Sequence, residues 1–229
     1  GAQPVPYLPL VEALRPHLRA ERLAGRVDPV WLAEASALLP ELRAAFPQLP
    51  APAPATPEQA RARLFEALRQ LVLGLGGQDD ERGPVLLLCL DDLHWADRAT
   101  LNWLAYLGRH LAGLRALVMG TYRAEEPGAV GDLRRELRRA TVLAELSLPP
   151  LAEEDVARLL RVLAPGRQAD DATARRLHTI SGGNPFFLAE IVRMLPDSGN
   201  LDNLPLPATV QEAVRGRVAR LSGEAQQVL

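Results

Sequence analysis

Apolar residues in the first third of the chain recur at intervals of three and four residues, which is the period of an amphipathic helix. Residues 7–46 carry this spacing, and the proline-rich stretch that follows fits neither a helix interior nor a central strand. Thr56 and Pro57 predict the next helix start, because Thr is a favoured N-cap and Pro a favoured first helical residue. Four apolar positions predict the buried face of that helix: Leu64, Leu68, Leu71 and Val72.

Three short apolar runs in the middle of the chain predict strands. They occupy residues 85–92, 116–123 and 142–148, and segments with helical spacing separate them. Strands that alternate with helices of this length are typical of parallel β-α units. We therefore predict an α/β fold with a parallel sheet that helices cover on both faces.

The chain beyond residue 150 shows helical spacing and no further strand pattern. Its apolar residues predict a small helical bundle over residues 151–199, appended to the α/β core of residues 1–150. Residues 200–229 begin another helical unit that the chain does not complete. The predicted organisation is thus a core, a bundle and the start of a third unit.

Composition narrows the functional classes. The chain contains no lysine, so its 26 basic residues are all arginine, and its net charge of -2 gives no global indication of nucleic-acid or membrane binding.

The single Cys89 lies within an apolar strand, where we expect it to be buried, and this favours a reducing cytoplasm. Neither a signal pattern nor a membrane-spanning run occurs in the sequence. Because the chain begins at Gly1 and ends within a predicted helix, we expect a segment of a longer protein.

Two adjacent carboxylates end the first predicted strand. Asp91 and Asp92 directly follow the run VLLLCL, and ligands of parallel α/β sheets bind at the carboxyl ends of strands. A charged pair at this point needs solvent, hydrogen bonds or a cation, and Mg²⁺ bound to phosphates meets that need. The alternative is that both residues begin a solvated loop. His94 and Trp95 are expected to pack around the same loop.

The segment LLLCLDDLHWAD, which ends at Asp97, resembles the Walker B segment of the signal-transduction ATPases with numerous domains, a class of AAA-related P-loop ATPases. This class includes large transcriptional regulators of the LuxR type and the maltose-regulon activator. Other segments are similar to further parts of these proteins, in the expected order: YLPLVEALRPHL to a helix near the phosphate loop, LVMGTYR to the sensor-1 strand, SGGNPFFLAEIVRML to the lid, and LPATVQEAVRGRVARLS to the winged-helix entry. The resemblance implies a truncated P-loop NTPase sheet followed by a helical lid.

The resemblance also implies roles for particular residues. Asp91 would hold Mg²⁺, through water, and Asp92 would act on the hydrolytic water; Arg123 would sense the γ-phosphate. Related ATPases usually have glutamate at the second position, so an aspartate indicates slow, switch-like hydrolysis. Asn184 and Pro185 would contact the nucleotide, with the proline against adenine. The same two residues also fit a helix start, with Asn184 as the cap and Pro185 in the first turn.

The predicted function is a nucleotide-dependent switch within a multidomain signalling or transcriptional regulator, with ATP or ADP and Mg²⁺ as ligands. DNA binding would belong to domains outside these residues, and self-assembly is an open prediction. The phosphate-loop pattern G-x-x-x-x-G-K-[ST] is absent, so we expect these 229 residues to bind ATP weakly and to hydrolyse essentially none. Two alternatives are a non-catalytic scaffold for protein contacts and a metal-dependent hydrolase. The hydrolase would use Asp91, Asp92, His94 and Asp97, although such closely spaced residues do not easily converge on one ion, particularly since Asp97 is predicted to cap the next helix.

Overall fold

The computed structural model describes residues 5–76, 86–112, 116–125, 128–164 and 171–194. The chain divides into two compact units, residues 1–145 and residues 146–229. The helices of the first unit are α1 (Leu8–Leu14), α2 (Ala20–Leu23), α3 (Pro29–Ala35), α4 (Glu41–Ala45), α5 (Pro57–Leu75), α6 (Arg98–Arg109) and α7 (Gly128–Arg139), with 3-10 turns at Arg15–His17 and Leu93–Trp95. None of the helices in the described part of the chain has the length and apolar character needed to cross a bilayer.

The sheet in the described residues has two parallel strands. Strand β1 (Leu86–Leu90) pairs with β2 (Ala116–Gly120), and the register places Leu90 opposite Gly120. The two strands are shorter than the predicted runs, because the regular ladder ends at the pair Leu90 and Gly120. The mixed α/β class is thereby confirmed, although the described residues are mostly helical.

The predicted strand over residues 142–148 does not form. Its backbone has no ladder partner among the described residues, and the side chains of Leu146 and Leu148 are 86% and 83% exposed. An apolar run becomes a strand only when a neighbouring strand pairs with it, and the sequence pattern carries no information about that neighbour.

One face of the sheet packs on the core of the first unit. Leu88 and Leu90 are buried there with Leu93, and Trp103 of α6 is fully buried and donates from Nε1 to the carbonyl of Phe65 at 3.1 Å. The other face is open and carries four exposed side chains: Leu87, Cys89, Leu117 and Met119. The predictions of a sheet covered on both faces and of a buried Cys89 were therefore wrong for this structure, because alternate strand residues point to opposite faces.

Two helix starts that position the first unit agree with the sequence. Thr56 and Gln59 form a capping box at the start of α5, in which each side chain accepts a hydrogen bond from the other residue's backbone amide. Asp97 caps α6. Along the chain these helices precede and follow β1, the strand that leads to Asp91.

The second unit contains three described helices, α8 (Glu153–Leu163), α9 (Asp171–Ser181) and α10 (Pro185–Met194). Apolar residues of all three form its core, with Val156, Leu177, Leu188 and Ile191 fully buried. The helical bundle predicted from residue 151 onward is thus present in part, while residues 200–229 lie outside the described residues.

Candidate functional site

The parallel register brings three polar residues together at the carboxyl ends of the two strands. Asp91 follows Leu90 and Thr121 follows its partner Gly120. The backbones stay joined beyond the ladder, since Thr121 N donates to the carbonyl of Leu90 at 3.1 Å. Side chains from neighbouring strands therefore meet at one point of the sheet edge.

Thr121 links the two aspartates by hydrogen bonds. Its hydroxyl donates to Asp91 Oδ1 in a short contact, and it accepts from the backbone amide of Asp92 at 3.0 Å. The same amide also lies 3.1 Å from Asp91 Oδ1. A hydroxyl that donates and accepts at once fixes both neighbours. The carboxylate of Asp91 and the backbone of Asp92 are consequently held in place.

Asp92 has a left-handed backbone, with φ of 54° and ψ of 46°. This conformation costs a non-glycine residue about 1 kcal/mol, although aspartate tolerates it better than most. It turns the chain out of β1 and into the 3-10 turn, where Leu93 N donates to the carbonyl of Thr121 at 2.8 Å. Leu93 packs on the end of β2 so closely that a Cβ at Gly120 would lie 2.4 Å from its Cδ1. Glycine at this strand end gives Leu93 its space.

His94 is the middle residue of this turn, and its side chain is buried. Its side chain is 1% exposed, and its Nδ1 lies 3.7 Å from Asp92 Oδ1. Neither ring nitrogen has a hydrogen-bond partner among the residues that the structure describes. The Asp92 side chain is 45% exposed and faces solvent beside it. Thus the loop places an accessible carboxylate next to a sequestered imidazole.

Arg123 lies in the loop after β2, three residues beyond Gly120, rather than at the tip of a strand. Its guanidinium carbon is 5.8 Å from the ring centroid of Trp95, a distance typical of cation–π contacts. Trp95 is 67% exposed and also packs against the His94 ring, with 4.9 Å between centroids. The structure therefore brings Arg123 to the loop that carries Asp91 and Asp92.

A charged cluster holds the start of the Arg123 loop. Tyr122 donates to Glu145 at 3.0 Å, and Arg134 and Arg138 of α7 both bind the same carboxylate. Hydrogen bonds from Arg134, then Arg138, lower the pKa of Glu145 to about 2. Burial, followed by the bond to Glu145, raises the pKa of Tyr122. Arg134 and Arg138 of α7 therefore form ion pairs within the first unit.

Asp97 is a structural residue in this arrangement. It is 7% exposed and caps α6 by accepting from the amide and hydroxyl of Thr100, at 2.9 and 2.5 Å. Its Oδ2 also accepts from the backbone amide of Tyr7 at 3.1 Å. No group of three or more acidic, histidine or cysteine side chains in the described ranges is arranged to hold a metal ion. The four-residue metal site of the hydrolase alternative is therefore not formed, because Asp97 points into the helix start.

Asn184 and Pro185 belong to the second unit and form the predicted helix start. Asn184 Oδ1 accepts from the backbone amide of Phe186 at 2.9 Å, and Pro185 is the first residue of α10. Gly182 and Gly183 precede them with φ of 60° and 71°, and a Cβ at Gly183 would lie 2.5 Å from the carbonyl of Leu151. The predicted capping role is confirmed, while contact with a nucleotide stays a prediction.

Thr121 is the member of the site that sequence reasoning missed. Its signal was available in principle, since it is the first polar residue after the apolar run ALVMG. Pairing that run with VLLLCL end to end would have set Thr121 beside Asp91. The resemblance drew attention to Arg123 instead.

A comparison with known protein families identifies a family that matches the first half of the chain. The family described as the AAA ATPase domain matches residues 1–119, a range that includes β1, Asp91 and Asp92 and ends at Met119, one residue before the end of β2. Neither the curated proteins nor the solved structures gave a significant match.

Proposed function

This chain belongs to the AAA ATPase domain family, and on that premise we propose that its strand-end residues form the Mg²⁺ and water side of an ATP site. The observation that carries the proposal is the bonded set of Asp91, Thr121 and Asp92 at the carboxyl ends of two parallel strands. Ligands of α/β sheets bind at this edge. The exposed carboxylates supply the negative charge that a bound Mg²⁺ needs.

The donor set of Asp91 suits Mg²⁺. Carboxylate oxygen is the ligand type that this ion prefers, and the ion usually keeps several waters when it also binds phosphate. Within the described residues, the hydrogen bonds to Asp91 fall on Oδ1, so Oδ2 is the oxygen that would face a hydrated ion. Bound Mg²⁺ would neutralise charge on the β- and γ-phosphates.

Asp92 is the residue that we assign to the attacking water. Its backbone amide is fixed by Thr121 while its side chain stays open to solvent. A carboxylate so placed accepts a hydrogen bond from water and orients it, or receives its proton. Aspartate is one methylene shorter than the usual glutamate, so we propose slow turnover.

Arg123 and the Asn184–Pro185 pair complete the proposal on the strength of the family resemblance. An arginine can bridge phosphate oxygens, and the cation–π contact with Trp95 keeps Arg123 near the acidic loop. Asn184 and Pro185 are assigned to nucleotide contact, as the resemblance implies. Their helix-start geometry supports a fixed position for Pro185 within its own unit.

In the wider proposal, the domain is a nucleotide-dependent switch of the signal-transduction type, in a cytoplasmic regulator similar to the LuxR-type proteins. Its conformation and self-assembly would depend on whether ATP or ADP is bound. DNA contact is assigned to other domains. Because the 229 residues include no phosphate-loop lysine, we expect them to bind MgATP weakly and to show essentially no turnover.

The test is paramagnetic broadening of ¹⁵N-labelled chain by Mn²⁺ and ADP at millimolar concentration, which detects weak binding. We expect the amide signals of Asp92 and Thr121 to broaden when both are added, and the broadening to fall at least about fivefold in Asp91→Asn, as loss of one charged ligand predicts. Glu125→Gln, which neutralises an exposed carboxylate just beyond Thr121, should leave it unchanged. Equal broadening in Asp91→Asn and the wild type would refute the site.

A further inference from the structure

The His94 ring is the buried polar group that the proposed chemistry leaves unused. Its two nitrogens are sequestered from solvent and, within the described part of the chain, have no hydrogen-bond partner. Folded proteins rarely leave a buried imidazole in this state, since each unpaired nitrogen has lost its water without replacement. A group in contact with His94 is therefore expected to complete its bonding.

Two other histidines show what an ordinary structural histidine does in this chain. His110 Nδ1 lies 2.7 Å from the carbonyl of Tyr106, and His178 Nε2 lies 3.0 Å from the carbonyl of Leu151. Both rings are tied to the backbone of their own unit. The His94 side chain is 1% exposed and has no such tie among the described residues, which sets it apart.

The acceptor nearest to His94 is the carboxylate of Asp92. Its Oδ1 is 3.7 Å from Nδ1, against roughly 2.9 Å for an ordinary N–H···O bond. The Asp92 backbone is fixed through its amide, so rotation of its side chain is the motion that can close this gap. Trp95 packs against the His94 ring and limits movement of the imidazole.

We propose that His94 is a positioning residue for Asp92, and this rests on the proposed role of Asp92 in orienting water. The Nδ1–H of His94 donates to Asp92 Oδ1, which leaves Oδ2 as the oxygen that faces the water. The neutral ring must then be the Nδ1–H tautomer. The bond fixes the direction of a carboxylate that would otherwise rotate freely in solvent.

The tautomer can be observed without nucleotide. In chain labelled with ¹⁵N-histidine, at a pH where the rings are neutral, the His94 signals are assigned by their loss in His94→Asn. We expect a protonated Nδ1 in the wild type, and a shift of the proton to Nε2 in Asp92→Ala but not in Asp91→Asn. An Nε2–H tautomer in the wild type, or one insensitive to Asp92→Ala, would overturn the proposal.

Rescue separates positioning from mere packing. The amide nitrogen of Asn reaches the place of Nδ1, that of Gln reaches the place of Nε2, and Leu has no donor. The ¹³Cγ signal of Asp92 should move in His94→Leu and His94→Gln and return toward the wild type in His94→Asn. Equal displacement in all three variants would show that ring packing alone matters. Should His94→Leu fail to fold, the Asn and Gln pair still decides.

The two proposals can fail separately. Absence of Mn²⁺–ADP broadening in the wild type, together with an Nδ1–H tautomer, would refute the nucleotide site and the positioning role that rests on it, while the hydrogen bond itself would stand. Normal broadening with the Nε2–H tautomer would refute the role of His94 alone.

Discussion

Asp97 is almost completely buried and accepts three hydrogen bonds, whereas Asp91 and Asp92, in the same short segment, lie open to solvent. All three are aspartates that follow or precede regular structure. Asp97 joins the starts of α1 and α6, because Tyr7 and Thr100 both donate to it. The strand-end pair is bonded to the Thr121 hydroxyl and keeps carboxylate surface exposed.

The difference shows how one residue type serves two purposes. A buried carboxylate whose lone pairs are filled stabilises the fold, since removing it strands several donors. An exposed carboxylate contributes little to stability and remains available to a cation or a water. Substitutions at the two ends of the segment should therefore have opposite profiles of stability and binding.

The largest effect is expected at the buried end. Asp97→Ala removes the α6 cap and leaves the amides of Tyr7 and Thr100 unpaired, so the free energy of unfolding should fall by about 3 kcal/mol. Urea unfolding followed by circular dichroism measures this. Asp97→Asn, which keeps one carbonyl acceptor, should lose about half as much. A loss below about 0.5 kcal/mol for Asp97→Ala would contradict the structural role.

A somewhat smaller effect is expected at the glycine that supports the strand-end loop. In Gly120→Ala the new Cβ would collide with Leu93 Cδ1, so the buried Leu93 side chain must move, at a cost of about 2 kcal/mol. Amide shifts of Asp92 and His94 should change with it. Met119→Ala, one residue earlier on the open face of β2, should change stability by less than about 1 kcal/mol and leave those shifts in place. Equal effects at both positions would show that Leu93 is not constrained by Gly120.

The fold could be predicted where local chemistry decides it. Thr56 with Pro57, and Asp97, marked helix starts that the structure contains, because capping depends on residues within one turn. The run at 142–148 was misread as a strand, since pairing depends on a neighbour that no local pattern names. The prediction of a buried Cys89 was also wrong. The residues of β1 are apolar on both faces of the strand, so the sequence does not show that the face with Cys89 is exposed.

The candidate site was predictable to the same extent. Asp91 and Asp92 follow directly from the end of an apolar strand. The contact of Thr121 with Asp91 depends on the register between segments that are 30 residues apart, and the unpaired state of His94 depends on how the folded chain buries its side chain. The sequence shows that Thr121 follows an apolar run, but the pattern within one segment does not give its register with another segment or the burial of a side chain by the rest of the fold.

A moderate effect is expected when the link between the two aspartates is removed. Thr121→Val keeps the shape of the side chain but deletes the hydroxyl that bonds Asp91 and the Asp92 amide, so stability should fall by about 1 kcal/mol. The Asp92 amide should exchange with solvent faster than in the wild type, as measured by hydrogen exchange. Thr121→Ser retains the hydroxyl and is the control. Unchanged exchange in Thr121→Val would mean that Asp91 Oδ1 alone holds the amide.

The smallest effect on stability is expected at the exposed end of the segment. Asp91→Asn keeps an oxygen that accepts from the Thr121 hydroxyl and the Asp92 amide, so the free energy of unfolding should change by less than about 0.5 kcal/mol in urea. The variant nevertheless loses the charge that we assign to Mg²⁺. A clear stabilisation would sharpen the contrast with Asp97. It would show that the negative charge of Asp91 lowers the stability of the fold, as expected of a residue that serves a ligand. A loss as large as that of Asp97→Ala would instead place both ends of the segment in the same structural role.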